Sequence, residues 1–145
     1  MAPALAAALA AACGVVDAGD GGPCSRDQDC PAGNACARTG TCVAPSALMS
    51  VRLDWTIGGV TPSATTPAPC YGIDHMAVTF AGAGGDEELT YAPVPCFLGG
   101  VFYDKMPRSL DEVRLDAVDA GGGILRTAWG MLAGDPQTQL TLALP

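Results

Sequence analysis

Basic side chains are scarce in this chain. It has a single lysine, Lys105, six arginines and one histidine, His75, against 15 acidic residues, for a formal net charge of −8. Phosphate neutralisation needs clustered Lys and Arg, so nucleic acid is excluded as a partner. A lone lysine also leaves no basic patch for anionic lipid headgroups. Any Ser-His-Asp or Cys-His scheme must use His75, and no Gly-x-Ser-x-Gly elbow occurs. His75 stands beside Asp74 in a strand-like stretch, where a paired surface histidine is the simpler reading. Carboxylates gather at Asp86-Glu87-Glu88, Asp111-Glu112, Asp116 and Asp119. These lie in or beside turns, where solvation explains them, and glycosidase chemistry needs a pair facing across a cleft. No enzyme activity, metal or cofactor is expected. Large apolar residues are few as well, because 25 of the 145 residues are alanine. No apolar run reaches the ~20 residues of a membrane span. The length suits one ordinary domain plus a small appendage.

Cysteine, by contrast, is abundant. Seven occur, at Cys13, Cys24, Cys30, Cys36, Cys42, Cys70 and Cys96. That density fits an exported protein, but an odd count needs an explanation. Cys13 stands apart, at the end of the uncharged leader Met1-Ala-Pro-Ala-Leu-Ala-Ala-Ala-Leu-Ala-Ala-Ala12. Residues 1–12 read as a signal peptide ending in small residues. Leu9-Ala10-Ala11-Ala12-Cys13-Gly14 resembles the lipobox of bacterial lipoproteins, although Leu9 stands one step early and no basic residue precedes it. The resemblance implies a lipid on Cys13, which becomes the mature N-terminus, and Gly14 implies sorting to the outer membrane. Consuming Cys13 in this way leaves six cysteines to pair. The alternatives are an ordinary signal peptide with an unpaired cysteine and an Ala-rich terminal helix. Residues 13–23, rich in Gly, Asp and Pro, read as a flexible tether. Asp17 and Asp20 within it lack the further oxygen ligands and spacing of a calcium loop.

Residues 24–44 form a Cys-rich module. Cys24, Cys30, Cys36 and Cys42 are evenly spaced, with turn formers between them and no large apolar residue. Such a segment needs disulfides or a metal to fold. The intervals do not match the close cysteine pairs of structural zinc sites, so disulfides are expected. Four cysteines allow three connectivities; the interlocked one, Cys24–Cys36 with Cys30–Cys42, is the expectation. The pattern Asp-x-Asp-Cys-Pro-x-Gly-x-x-Cys resembles a short Cys-rich motif of bacterial envelope lipoproteins of myxobacterial type. It is similar also to the EB and Dickkopf-type modules of animal proteins. The motif implies secretion and stapling, and no activity.

Period-two alternation of apolar and polar residues governs residues 45–145. Val51, Leu53, Trp55 and Ile57 face one way; Ser50, Arg52, Asp54 and Thr56 face the other. Similar patterns predict strands at 74–81, 89–91, 101–103, 111–118, 124–131 and 138–144. In the third, Pro93 and Pro95 should end the run. Gly82–Asp86, Asp119–Gly123 and Ala133–Pro136 supply turns, the second with the look of a hairpin. Seven short strands in about 100 residues predict a mainly β fold, a seven-stranded antiparallel β-sandwich behind the small disulfide-stapled module. Cys70, closing the Pro-rich 60–70 segment, and Cys96 should pair. The run Val51–Gly59, Cys70, Val94-Pro-Cys96 and Asp119-Ala-Gly-Gly-Gly resembles the β-sandwich of bacterial surface lipoproteins, transthyretin-like or carboxypeptidase-regulatory-like in type.

These readings converge on a non-enzymatic cell-envelope lipoprotein that displays a structural or binding module. Its expected partners are the membrane, through Cys13, and an extracellular protein or glycan. The alternative is a secreted or periplasmic carbohydrate- or protein-binding module without the lipid anchor. Trp55 shares a face with Val51 and Leu53 and belongs to the core. Trp129, beside Gly130, is the candidate exposed ligand contact, with the 60–70 loop as its companion.

Overall fold

The computed structural model describes residues 22–85 and 87–145. The leader, Cys13, most of the tether and Asp86 lie outside them. The Cys-rich module is a small hairpin, β1 (Ala35–Cys36) against β2 (Cys42–Val43). It closes through Gly40, which is held at φ 77. Aspartate side chains replace a core in organising its turns. Asp27 Oδ1 accepts from the Cys36 amide at 3.0 Å, and Asp29 Oδ2 accepts from the amides of Ser25 and Arg26. Disulfides join Cys24 to Cys36 and Cys30 to Cys42, so the two closed loops interlock.

The larger domain is mainly β, with two sheets facing one another. The first has strand order β6 (Gly100–Pro107), β3 (Leu48–Ile57), β9 (Gln137–Leu144). The second has order β5 (Glu88–Val94), β4 (His75–Gly82), β7 (Leu110–Val118), β8 (Ile124–Met131). Alternation decides which side chains meet between them. Val51, Leu53 and Trp55 of β3, Met76, Val78 and Phe80 of β4, and Val113, Leu115 and Ala117 of β7 are fully buried. Trp55 satisfies its indole by donating Nε1–H to the Cys96 carbonyl at 3.1 Å, as a buried tryptophan must. The disulfide Cys70–Cys96 holds the 60–70 loop against that turn, and the Asp119–Gly123 hairpin closes with Asp119 accepting from the amides of Gly121 and Gly123.

Three strand features differ from expectation. First, the ladder between β3 and β9 is parallel, whereas the other four ladders of the domain are antiparallel. Alternation reports which face is buried; it carries nothing about the direction of a neighbour. Second, β5 runs on through Pro93. It is an edge strand, and Ala92 and Pro93 fall at its register shift, where a missing N–H interrupts no ladder. Third, β6 extends to Pro107. Its period-two pattern breaks because Asp104 and Lys105 together oppose Ser50 in a bulge, with Lys105 at φ 54. Tyr103 and Met106, three residues apart, therefore both point inward.

Candidate functional site

The module is fastened to the sandwich at that bulge. The Arg38 amide donates to the Lys105 carbonyl at 3.0 Å, and its guanidinium Nε donates to the Asp104 carbonyl at 3.1 Å. Arg38 also pairs with the Asp104 carboxylate, while Lys105 Nζ pairs with Asp27 at 2.7 Å. The Arg38 hydrogen bond holds Asp104 below the usual carboxylate range. The Lys105 hydrogen bond, helped by the Cys36 amide, does the same for Asp27. A cleft of about 410 Å³ at the junction is lined by Arg26, Arg38 and Lys105 among others. Sequence inspection missed this cluster, since Arg38 and Asp104 are 66 residues apart. No local signal in the sequence marks it, since the predicted strand ends at residue 103, two residues short of Lys105.

Beneath the junction sits an aromatic cluster. Tyr91 and Tyr103 lie with ring centroids 4.5 Å apart, and Phe80 meets Tyr103 edge-on at 5.2 Å. The Tyr103 hydroxyl is buried with no hydrogen-bond partner among the described residues. Burial, together with the neighbouring Tyr91, pushes its ionisation up to about 12.

Trp129 lies on the outer face of the four-stranded sheet and is 58 % exposed. Register sets it beside Arg114, which in turn is beside Thr79 and then Thr90. The Arg114 guanidinium covers one side of the indole at 5.4 Å from its centroid, a cation–π contact. Arg114 Nε also donates to Asp116 at 2.8 Å, and Thr127 donates to the other Asp116 oxygen at 2.7 Å. Asp116 is only 3 % exposed although it belongs to the outer face. It is thus a fully hydrogen-bonded buried charge, which is how such a charge is tolerated. The structure does not bring the 60–70 loop to Trp129. That loop is stapled through Cys96 beside β5, and Trp129 is on β8, the opposite edge of the same sheet. His75 opens β4 on this outer face, and its Nδ1 shares a 2.9 Å hydrogen bond with Asp74. Of the other carboxylates, Glu87 accepts from Ser109 at 2.7 Å and Asp119 caps its hairpin.

The sulfurs of Cys24, Cys30 and Cys36 lie within 4.8 Å of one another. Each belongs to a disulfide, and zinc requires thiolates. The chain matches no family model, no curated protein and no solved structure.

Proposed function

We propose that this protein is a non-enzymatic lipoprotein of a bacterial cell envelope, sorted to the outer membrane. A lipid on Cys13 tethers the stapled module and the sandwich, whose outer faces are displayed for binding. One observation carries the reading. The three disulfides consume six of the seven cysteines. The seventh, Cys13, stands directly behind the apolar leader, where lipidation would use it. Disulfides at this density belong to oxidising compartments. The test is incorporation of labelled palmitate in the native host, lost in Cys13→Ser, together with the mass of the mature N-terminus. An unlabelled protein beginning at Met1 would overturn the reading. An unlabelled protein cleaved after the leader and recovered from the medium would instead support a second one. In that reading the sandwich is a secreted carbohydrate- or protein-binding module. The observation favouring it is the exposure of Trp129 beside the hydrogen-bonded Arg114–Asp116 pair.

A further inference from the structure

The other outer face, that of the three-stranded sheet, carries a cleft that neither reading uses. The alternation that turns Val51, Leu53 and Trp55 inward turns Ser50, Arg52 and Asp54 outward. Register places Phe102, Arg52 and Gln139 in one row across β6, β3 and β9. Gly100, Asp54 and Thr141 form the next row. A cleft of about 350 Å³ lies over the first, lined by Ser50, Arg52, Phe102, Gln137, Thr138 and Gln139. That volume is within the roughly 300–1,000 Å³ of small-ligand sites.

Two polar groups of this cleft, Arg52 and Gln139, are held before any ligand arrives by Asp54, which stands beside the lining in the next row. Arg52 meets Asp54 Oδ1 with both Nε and Nη2, each at 2.8 Å. Gln139 Nε2 reaches Asp54 Oδ2 at 3.4 Å. Gly100 makes the arrangement possible. A Cβ there would run into Asp54 Oδ1 and come within 3.2 Å of Arg52 Nη2. Any side chain at 100 must therefore shift the Asp54 carboxylate that holds Arg52. Beside it, Phe102 presents a ring that is 59 % exposed. This is a large apolar surface surrounded by hydrogen-bonding groups.

The chemistry of the lining selects among ligands. Arg52 and Asp54 cancel in charge, and the chain as a whole is at −8, so a polyanion gains nothing there. A cation finds the one nearby carboxylate, Asp54, already taken by Arg52 and Gln139. A wholly apolar ligand would strip water from the ion pair without replacing its hydrogen bonds, which is costly. What remains is a ligand whose polar groups both donate and accept, as hydroxyls do. It must also offer an apolar C–H face to Phe102. A pyranose ring has both. We infer that this cleft binds a neutral glycan, stacked on Phe102, with Arg52 and Gln139 reading the ring hydroxyls and Asp54 positioning both. The inference does not depend on the lipid anchor.

The exported Cys13→Ser chain separates the two questions, because it removes the anchor and leaves the cleft. It should be titrated calorimetrically with neutral cello-, xylo-, manno- and chito-oligosaccharides, with oligogalacturonate as the anionic arm. Saturable binding of a neutral series is expected. Phe102→Ala and Asp54→Asn should each weaken it by about tenfold or more, and Trp129→Ala by less than about twofold. Gly100→Ala keeps every lining side chain but displaces the Arg52–Asp54 pair, and should weaken binding as well. Absence of binding by all neutral series, a preference for oligogalacturonate, undiminished binding by Phe102→Ala, or loss confined to Trp129→Ala would each overturn the inference. Unfolding midpoints of the variants, measured alongside, show that exposed Phe102 is lost without loss of the fold.

Discussion

The two parts of the molecule are held together by opposite means. Within residues 24–44, the buried side chains are Cys36, Ala37 and Cys42. Its order comes from two bridges, each of sequence separation 12, with aspartates accepting from backbone amides. Each bridge contributes about 3 kcal/mol in the chain-entropy model. The sandwich has one bridge and a continuous apolar interior from Met49 to Leu144. One region depends on redox conditions and the other on water. A protein assembled this way should be taken apart in halves, by different reagents.

The largest effect should come from Trp55→Ala. Removing a fully buried tryptophan that also braces the Cys96 turn should cost about 3–5 kcal/mol. Denaturant titration will read the loss, while alkylation and mass spectrometry still find both module bridges closed. Next comes the double variant Cys70→Ser with Cys96→Ser. Opening this loop, of sequence separation 26, should lower sandwich stability by about 3.5 kcal/mol. Hydrogen exchange in the module should be unchanged, and equal loss of protection in both regions would contradict the division.

A smaller effect is expected in alkali. Tyr103 ionises at about 12 in the folded chain against 10.0 ordinarily. The unfolded chain therefore releases this proton first, and the stability linked to it is complete below pH 10.0 and lost as pH rises toward 12. Tyrosinate absorbance followed against pH, with and without denaturant, will show the separation. The smallest effect should be at the junction. Arg38→Ala removes an exposed pair with Asp104, worth at most about 1 kcal/mol after solvent screening. Its signature is faster amide exchange in the module with the sandwich midpoint nearly unmoved. Acid should act on the same contacts. Asp27 and Asp104 are lowered from 3.8 in the folded state. Their contribution is therefore full above that value and fades as pH drops through the lower folded values.

Much of the sandwich was legible because alternation is a local property. Val51, Leu53, Trp55 and Ile57 announce a buried face without reference to any other segment, and the strand expected at 124–131 coincides with β8 although Ala128 is its one buried residue. Strand direction was not legible, since the partner that runs parallel to β3 lies beyond five intervening strands. The end of β6 was hidden by the Asp104–Lys105 bulge, which breaks the very periodicity used to find it. On the binding surfaces, the outward set Ser50, Arg52, Asp54 and Thr56 could be read from β3. That Phe102 and Gln139 fall into row with Arg52 could not, because cross-strand register is a tertiary fact. The Arg38–Asp104 contact was invisible for the same reason.

The position of β9 also bears on the order of assembly. β3 occupies the middle of its sheet, yet one of its two neighbours is residues Gln137–Leu144. Until those residues are synthesised, β3 is a bare border with a row of unpaired amides and carbonyls over Val51, Leu53 and Trp55, the sort of template on which chains stick to each other. Pairing over so long a loop is slow. A holding chaperone should find the chain an attractive client during that interval.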